Sequence, residues 1–339
     1  MRNLFFIISF ITISSLSLPQ NVKYQLSLDT NFPLWLKIVD AHSEQTSGIT
    51  FVKNECGIDY FLLADDIGAI HLMSVKENKI VGMDEIEFVN ETERFFPTFP
   101  KMDFEEITFD KNTGDVYLSV EGNGKYYNDY VGIFKLIFKN RDILSKKVVA
   151  IIRINYGPEN LFFKYTGWNI GYEGFAVSNN YYFLGLEGFL NNNLFADSTL
   201  IFISNKVDME IFKIISTKTF GIHTICGLYA EDDHSIWGVD RNNRKIFNLK
   251  LDENFDIIKC SIYEGSVQIP GYKDLNYQPS LESITMDNEK NIYVVDDPWK
   301  EVFIPQEITF NKLDDETKSN FKDYIPTIYK YKITPKGDD

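Results

Sequence analysis

Leu281-Glu282-Ser283-Ile284-Thr285-Met286-Asp287-Asn288-Glu289-Lys290-Asn291-Ile292-Tyr293-Val294-Val295-Asp296-Asp297 reads as an acidic residue opening a short alternating strand, a tight polar turn, and a second apolar strand that ends in acid. The same unit occurs four more times, opening at Ser47-Gly48-Ile49-Thr50-Phe51, Glu105-Glu106-Ile107-Thr108-Phe109, Glu173-Gly174-Phe175-Ala176-Val177 and Cys226-Gly227-Leu228-Tyr229-Ala230. The second strands end at Ala64-Asp65-Asp66, Val120-Glu121-Gly122, Leu186-Glu187-Gly188 and Val239-Asp240-Arg241. Openings at 47, 105, 173, 226 and 282 are between 53 and 68 residues apart, the length of a propeller blade with room for loops.

Each unit continues with further runs of β-branched and aromatic residues interleaved with polar ones and broken by Asn, Gly and Asp, a strand signature. These runs are 70–75 and 79–89, 133–138 and 146–156, 199–204 and 209–216, and 245–250 and 255–263. The fifth unit supplies only 327–332 as a third strand, while 22–28 stands alone ahead of the first unit. Letting 22–28 complete the fifth blade closes the ring and removes the open sheet edge. The expected fold is therefore all-β: a five-bladed β-propeller of four-stranded antiparallel blades closed by its N-terminal strand, one domain over residues 18–339.

Met1-Arg2-Asn3 followed by the apolar run 4–16 has the basic start and short hydrophobic core of a secretory signal peptide, assigned to residues 1–17. The expectation is a secreted or periplasmic, monomeric chain without integral membrane association. With 339 residues, 44% of them hydrophobic, the chain can bury a large core; its formal charge of −15 disfavours nucleic acid and favours cations. Cys56, Cys226 and Cys260 are too few for a disulfide framework.

In an up-and-down blade, strand one starts on the side where strand two ends, so the acidic positions converge on one face near the axis. The longest insertions, 91–102, 157–171, 264–280 and 297–325, fall there too. They carry Phe95, Phe96, Phe99, Phe162, Phe163, Trp168, Tyr272, Tyr277 and Trp299, which either pack the loops onto the propeller or line a ligand funnel. Residues 312–322 read as a polar helix without assigned function.

Two acidic rings follow. The first is Ser47, Glu105, Glu173, Cys226 and Glu282; carboxylates crowded at an axis repel unless protonated or neutralised. A hard cation taking roughly 6 to 8 oxygens at about 2.3–2.6 Å suits three Glu, a Ser and backbone carbonyls, which points to Ca2+ as cofactor. Cys226, a poor calcium ligand, is expected to give its carbonyl or fill space. The second ring is Asp65 or Asp66, Glu121, Glu187, Asp240 and Asp296. Asp65, Asp66, Glu121 and Asp296 are candidates for activating water beside the ion. Glu187, Asp240, Lys125 and Arg241 are candidates for holding a small-molecule or surface ligand. His42 and His223, close before ring positions, are weaker candidate bases.

Thr46-Ser47-Gly48-Ile49, Gly171-Tyr172-Glu173-Gly174-Phe175-Ala176, Ile225-Cys226-Gly227-Leu228 and Leu281-Glu282-Ser283-Ile284 resemble the exported propellers called SdiA-regulated and their phytase-like or esterase-like relatives. That resemblance implies an axial calcium within a ring of Ser, Glu, Glu, Ser and Glu, the second Ser replaced here by Cys226. Ala64-Asp65-Asp66-Ile67-Gly68 and Gly122-Asn123-Gly124-Lys125-Tyr126 are also similar to turns of the calcium-activated nucleotidases, the soluble apyrases, though Leu186-Glu187-Gly188 stands where those enzymes place basic residues. The functions implied are a calcium-dependent hydrolase of phosphate esters or anhydrides or, as the alternative, a non-catalytic ligand- or protein-binding propeller with structural calcium.

Overall fold

Alternating apolar residues along each run dictate sheets, and a sheet with two apolar faces must bury both. A computed structural model describes residues 24–191, 194–298 and 300–336; the leader 1–17 and Trp299 lie outside them. Five antiparallel four-stranded sheets form a five-bladed β-propeller. From the axis outward, blade 1 is Thr46–Glu55, Ile58–Asp65, Ile70–Lys76 and Lys79–Glu85. Blade 2 is Phe104–Asp110, Asp115–Val120, Gly132–Phe138 and Lys147–Ile154. Blade 3 is Gly174–Val177, Tyr181–Gly185, Leu200–Asn205 and Ile211–Ser216. Blade 4 is Gly227–Asp232, Ser235–Asp240, Lys245–Leu251 and Ile257–Tyr263. Blade 5 is Leu281–Met286, Ile292–Asp296 and Thr327–Pro335, with Tyr24–Leu28 as its outer strand in the register Tyr24 to Pro335 through Leu28 to Tyr331. The N-terminal strand thus closes the ring as expected.

Five apolar clusters hold the blades together, one in each interface. Leu62, Leu72 and Ile70 meet Phe104, Ile107 and Leu118 between blades 1 and 2, and Phe61, Leu63 and Met73 meet Tyr293, Val295 and Ile328 where blade 5 returns to blade 1. The other three interfaces are built alike.

Two expectations shift. The run 79–89 does not stay in blade 1: its strand ends at Glu85, and Glu87–Phe88 pairs parallel with the outer strand of blade 2. The polar segment 312–322 contains the helix Asp315–Lys322, whose Phe321 is buried edge-on against Trp35 and Tyr277, capping the fifth blade's insertion. Most loop aromatics pack inward: Phe95, Phe96 and Phe99 form one cluster with Phe134, and Phe162 stacks on Tyr156. All three cysteines are free thiols. No helix among the described residues is long and apolar enough to cross a membrane.

Candidate functional site

The inner strands would leave backbone N–H groups bare at the axis, and short hydroxyl side chains of adjacent blades meet them. Ser283 accepts from Ile49 N at 3.0 Å, Thr285 from Phe51 N at 3.0 Å and Thr50 from Phe109 N at 3.1 Å. One level up, Gly48 and Gly227 allow the strands to touch: a Cβ on Gly48 would lie 2.6 Å from Glu105 O, and one on Gly227 2.6 Å from Ser283 Cα. The axis there is filled by the carboxyl of Glu106, which accepts from Ser283 Oγ at 2.7 Å, Ile107 N at 3.1 Å and Leu228 N at 3.3 Å. Burial drives the Glu106 pKa well above the carboxylate range, and those donors oppose it. Sequence reasoning missed this plug; its signal was the doubled Glu105-Glu106.

Above the plug the first ring assembles as read. In blades 1, 2 and 5 the pairing register slips next to the ring residue, between Thr46 and Gly48, Phe104 and Ile107, and Leu281 and Ser283. Such bulges re-aim a side chain, here Ser47, Glu105 and Glu282, toward the axis. These three, with Glu173, line a funnel of about 840 Å³. Cys226 is buried, and its Sγ lies within 4.8 Å of carboxylate oxygens of Glu173 and Glu282, so its side chain faces the ring; burial pushes the thiol pKa well up.

The second ring takes Asp66 of the Asp65-Asp66 pair in blade 1 and differs from the expected one by a single residue in blades 4 and 5. Ile49, Ile107, Phe175, Leu228 and Ile284 pair with Leu63, Leu118, Leu184, Gly238 and Val294, and three residues beyond these partners stand Asp66, Glu121, Glu187, Arg241 and Asp297. A shared bond marks the equivalence: Asp66, Glu121, Glu187 and Asp297 donate their N–H to the carbonyls of Gln45, Asp103, Gly171 and Ser280. These five positions line the funnel. Asp65, Asp240 and Asp296 sit one residue earlier, on the opposite face of the pleat, and clamp loops. Asp65 accepts from Ser43 Oγ at 2.5 Å and Glu44 N at 3.0 Å; Asp240 from His223 N at 2.9 Å and Asn243 Nδ2 at 2.7 Å; Asp296 from Thr327 N at 2.9 Å and from Tyr277 OH. Burial raises the Asp296 carboxyl to about 6 against those donors. Aligning the repeats on acidity rather than on the paired apolar residue produced the slip.

Arg241 reaches the centre of both rings. Its Nη1 donates to Glu282 Oε1 and Oε2 at 3.0 and 2.9 Å, its Nη2 to Glu187 Oε1 at 2.6 Å, and Glu173 Oε2 lies 3.8 Å away. Lys101 pairs with the expected Asp66 at 3.2 Å and with Asp103; Lys101, Asp103 and Asp297 are not among the expected site residues. Lys125 is exposed over the Tyr126 ring and lines no part of the funnel. His42 is exposed beside Glu44.

The electrostatics are uniform in sign. Burial raises Glu105, Glu121, Glu173 and Asp297 well above the carboxylate range, with neighbouring carboxylates adding to it. Burial pushes Glu187 up to about 7 and raises Glu282, each opposed by the Arg241 guanidinium. Asp66 Oδ1, Glu121 Oε1, Glu173 Oε2 and Asp297 Oδ1 are buried without a hydrogen-bond partner. Ligand atoms of Asp103, Glu105 and Glu121 lie within 4.8 Å of one another, as do those of Glu121, Glu173 and Glu187. Unpartnered, desolvated oxygens at this spacing fit a hard divalent cation and do not suit zinc, which wants His or thiolate.

No protein-family model matches the chain, and no curated protein sequence does. Among solved structures, glutaminyl cyclase of Myxococcus xanthus superposes with a TM-score of 0.52 at 11% identity, over 93% of this chain and 99% of that one. The PQQ-bound aldose sugar dehydrogenase of Streptomyces coelicolor follows at 0.46 and 9%, over 92% and 99%. At 11% identity the likeness to the cyclase is one of fold alone, a β-propeller.

Proposed function

We propose that this protein is an exported calcium-binding β-propeller whose axial funnel is a ligand site. The observation that carries the reading is the set of four buried carboxylate oxygens, on Asp66, Glu121, Glu173 and Asp297, that face one funnel without a hydrogen-bond partner. An unpaired buried charge is costly, and proteins relieve it by protonation or by a cation. Glu105, Glu121 and Glu173, with Asp103 beside them, would hold the ion; bound calcium would neutralise them and polarise an oxygen brought to it. The SdiA-regulated and phytase-like resemblance supports the same ion. Thermal unfolding of the mature chain with excess calcium and with chelator tests this: the melting temperature rises with calcium, and no rise refutes the site.

A second reading is calcium-dependent hydrolysis of a phosphate ester or anhydride. It is favoured by Glu121, whose unpartnered Oε1 lies within the acid cluster and whose carboxyl is raised by burial above the ordinary range, so that it can hold a proton as well as accept one. Asp66 keeps one unpartnered oxygen and stays a candidate with it. Asp65 and Asp296 are engaged on both oxygens and act on loops instead. Phosphate release from a panel of nucleotides and phosphomonoesters, lost in Glu121→Gln, is the expected result; absence of release leaves the binding propeller.

A further inference from the structure

The funnel lining holds eight carboxylates and four basic side chains. Lys101 is engaged by Asp66 and Asp103, and Arg241 by Glu187 and Glu282 with Glu173 at 3.8 Å; eight carboxylates against four basic groups leave an excess of four negative charges. One divalent ion offsets half of those four charges. The floor therefore stays electronegative with calcium in place, and its buried oxygens still select a positive group.

The mouth has the opposite character. Trp168, Leu190 and Val302 line the same cavity and are 68%, 52% and 64% exposed. They come from three separate segments: the connection between blades 2 and 3, the hairpin of Leu190–Asn191 with Leu194–Phe195, and the turn Glu301–Phe303. Large apolar side chains converging from independent loops on the rim of a polar cavity mark a binding surface. Ile170, Phe195 and Phe303 continue the apolar lining.

We propose that the funnel takes a small organic cation, a primary amine or guanidine on an apolar body. Its charged head sits at the unpartnered oxygens of Asp66 and Asp297, beside the Glu105, Glu121 and Glu173 set that would hold calcium, and its body lies against Trp168, Leu190 and Val302. The proposal rests on the reading of the funnel as a ligand site and gives that ligand its chemistry. Arg241 displays the recognition geometry within the chain, a planar cation forked onto both oxygens of Glu282 and bonded to Glu187. A cavity of about 840 Å³ accommodates a molecule of several rings or a short peptide end.

Calorimetry of the mature chain with tryptamine, tryptophol and indole-3-acetate, shape-matched but cationic, neutral and anionic, tests the inference in saturating calcium and in chelator. Tryptamine is expected to bind on the order of tenfold tighter than tryptophol, through charge-assisted hydrogen bonds. Trp168→Ala is expected to weaken it about three- to thirtyfold while Trp168→Phe retains it, as a ring-face contact requires. Equal affinities, or tighter binding of indole-3-acetate, overturn the proposal. A calcium-dependent rise in melting temperature without amine binding overturns it and leaves the calcium site standing. Amine binding with no response to calcium supports it and removes the calcium reading instead.

Discussion

Replacing Arg241 by Met removes the basic group that bonds both Glu282 and Glu187 while keeping much of its volume. In the native protein that guanidinium makes two bonds to Glu282 and one to Glu187, with the three side chains only 16%, 6% and 5% exposed. Breaking a buried pair by removing one partner costs about 3–5 kcal/mol, because the other charge stays buried and uncompensated. Two carboxylates lose their partner here, so a loss at the upper end, about 5 kcal/mol, is expected at pH 8 in chelator. The loss depends on pH. Glu187 already titrates near 7, against an ordinary value of 4.5, and without Arg241 it and Glu282 move further up. A carboxyl whose folded pKa is raised destabilises the fold above that pKa; the penalty shrinks as pH falls and is gone once pH drops below the unfolded value. Denaturant unfolding of Arg241→Met should therefore show a deficit at pH 8 that narrows markedly by pH 5, and calcium should recover part of it at pH 8. A loss under about 1 kcal/mol at pH 8, the size of an exposed ion pair, would refute the buried clamp. A deficit equal at both pH values would refute its electrostatic origin.

Glu121→Gln removes an unpartnered buried charge, so in chelator at pH 8 the variant should melt at or above the parent, while its gain on adding calcium shrinks; thermal scans with and without calcium read both. Asp65→Asn exchanges an acceptor of Ser43, Thr46 and Glu44 for a half-matched amide and should cost about 1–3 kcal/mol in denaturant unfolding, with the calcium-induced shift intact because Asp65 faces away from the funnel. Gly48→Ala places a methyl 2.6 Å from Glu105 O and 2.7 Å from Ile107 N, both backbone, and should cost about 1–3 kcal/mol and weaken calcium binding by displacing the inner strand of blade 2.

The funnel joins two environments that seldom coexist without a ligand: carboxylates stripped of water at the floor and large apolar groups exposed at the rim. The floor is stabilised from within by Arg241 and Lys101, whose two charges are set against eight carboxylates and leave most of that charge available to bound cations. Burial raises the pKa of every carboxylate there, Glu187 to about 7, so affinity for a cation should strengthen from pH 5 to pH 8 as Glu187 ionises.

The repeat of alternating strand, turn and acid-ended strand determined the five blades, their closure through Tyr24–Leu28, and the first ring, because a period-two pattern commits each residue to a face and the blade length commits each unit to its place. The sequence also placed the long loops on the acidic face. It could not decide which member of Asp65-Asp66, Asp240-Arg241 or Asp296-Asp297 faces the axis. Adjacent residues on a strand point to opposite sides, and bulges beside Ser47, Glu105 and Glu282 shift the count by one, a local geometry that composition does not encode. Only the tertiary structure turned Asp65, Asp240 and Asp296 onto their loops, brought Lys101 across to Asp66, and folded Arg241 into the ring, since each of these contacts joins segments whose approach depends on how the blades pack around the axis.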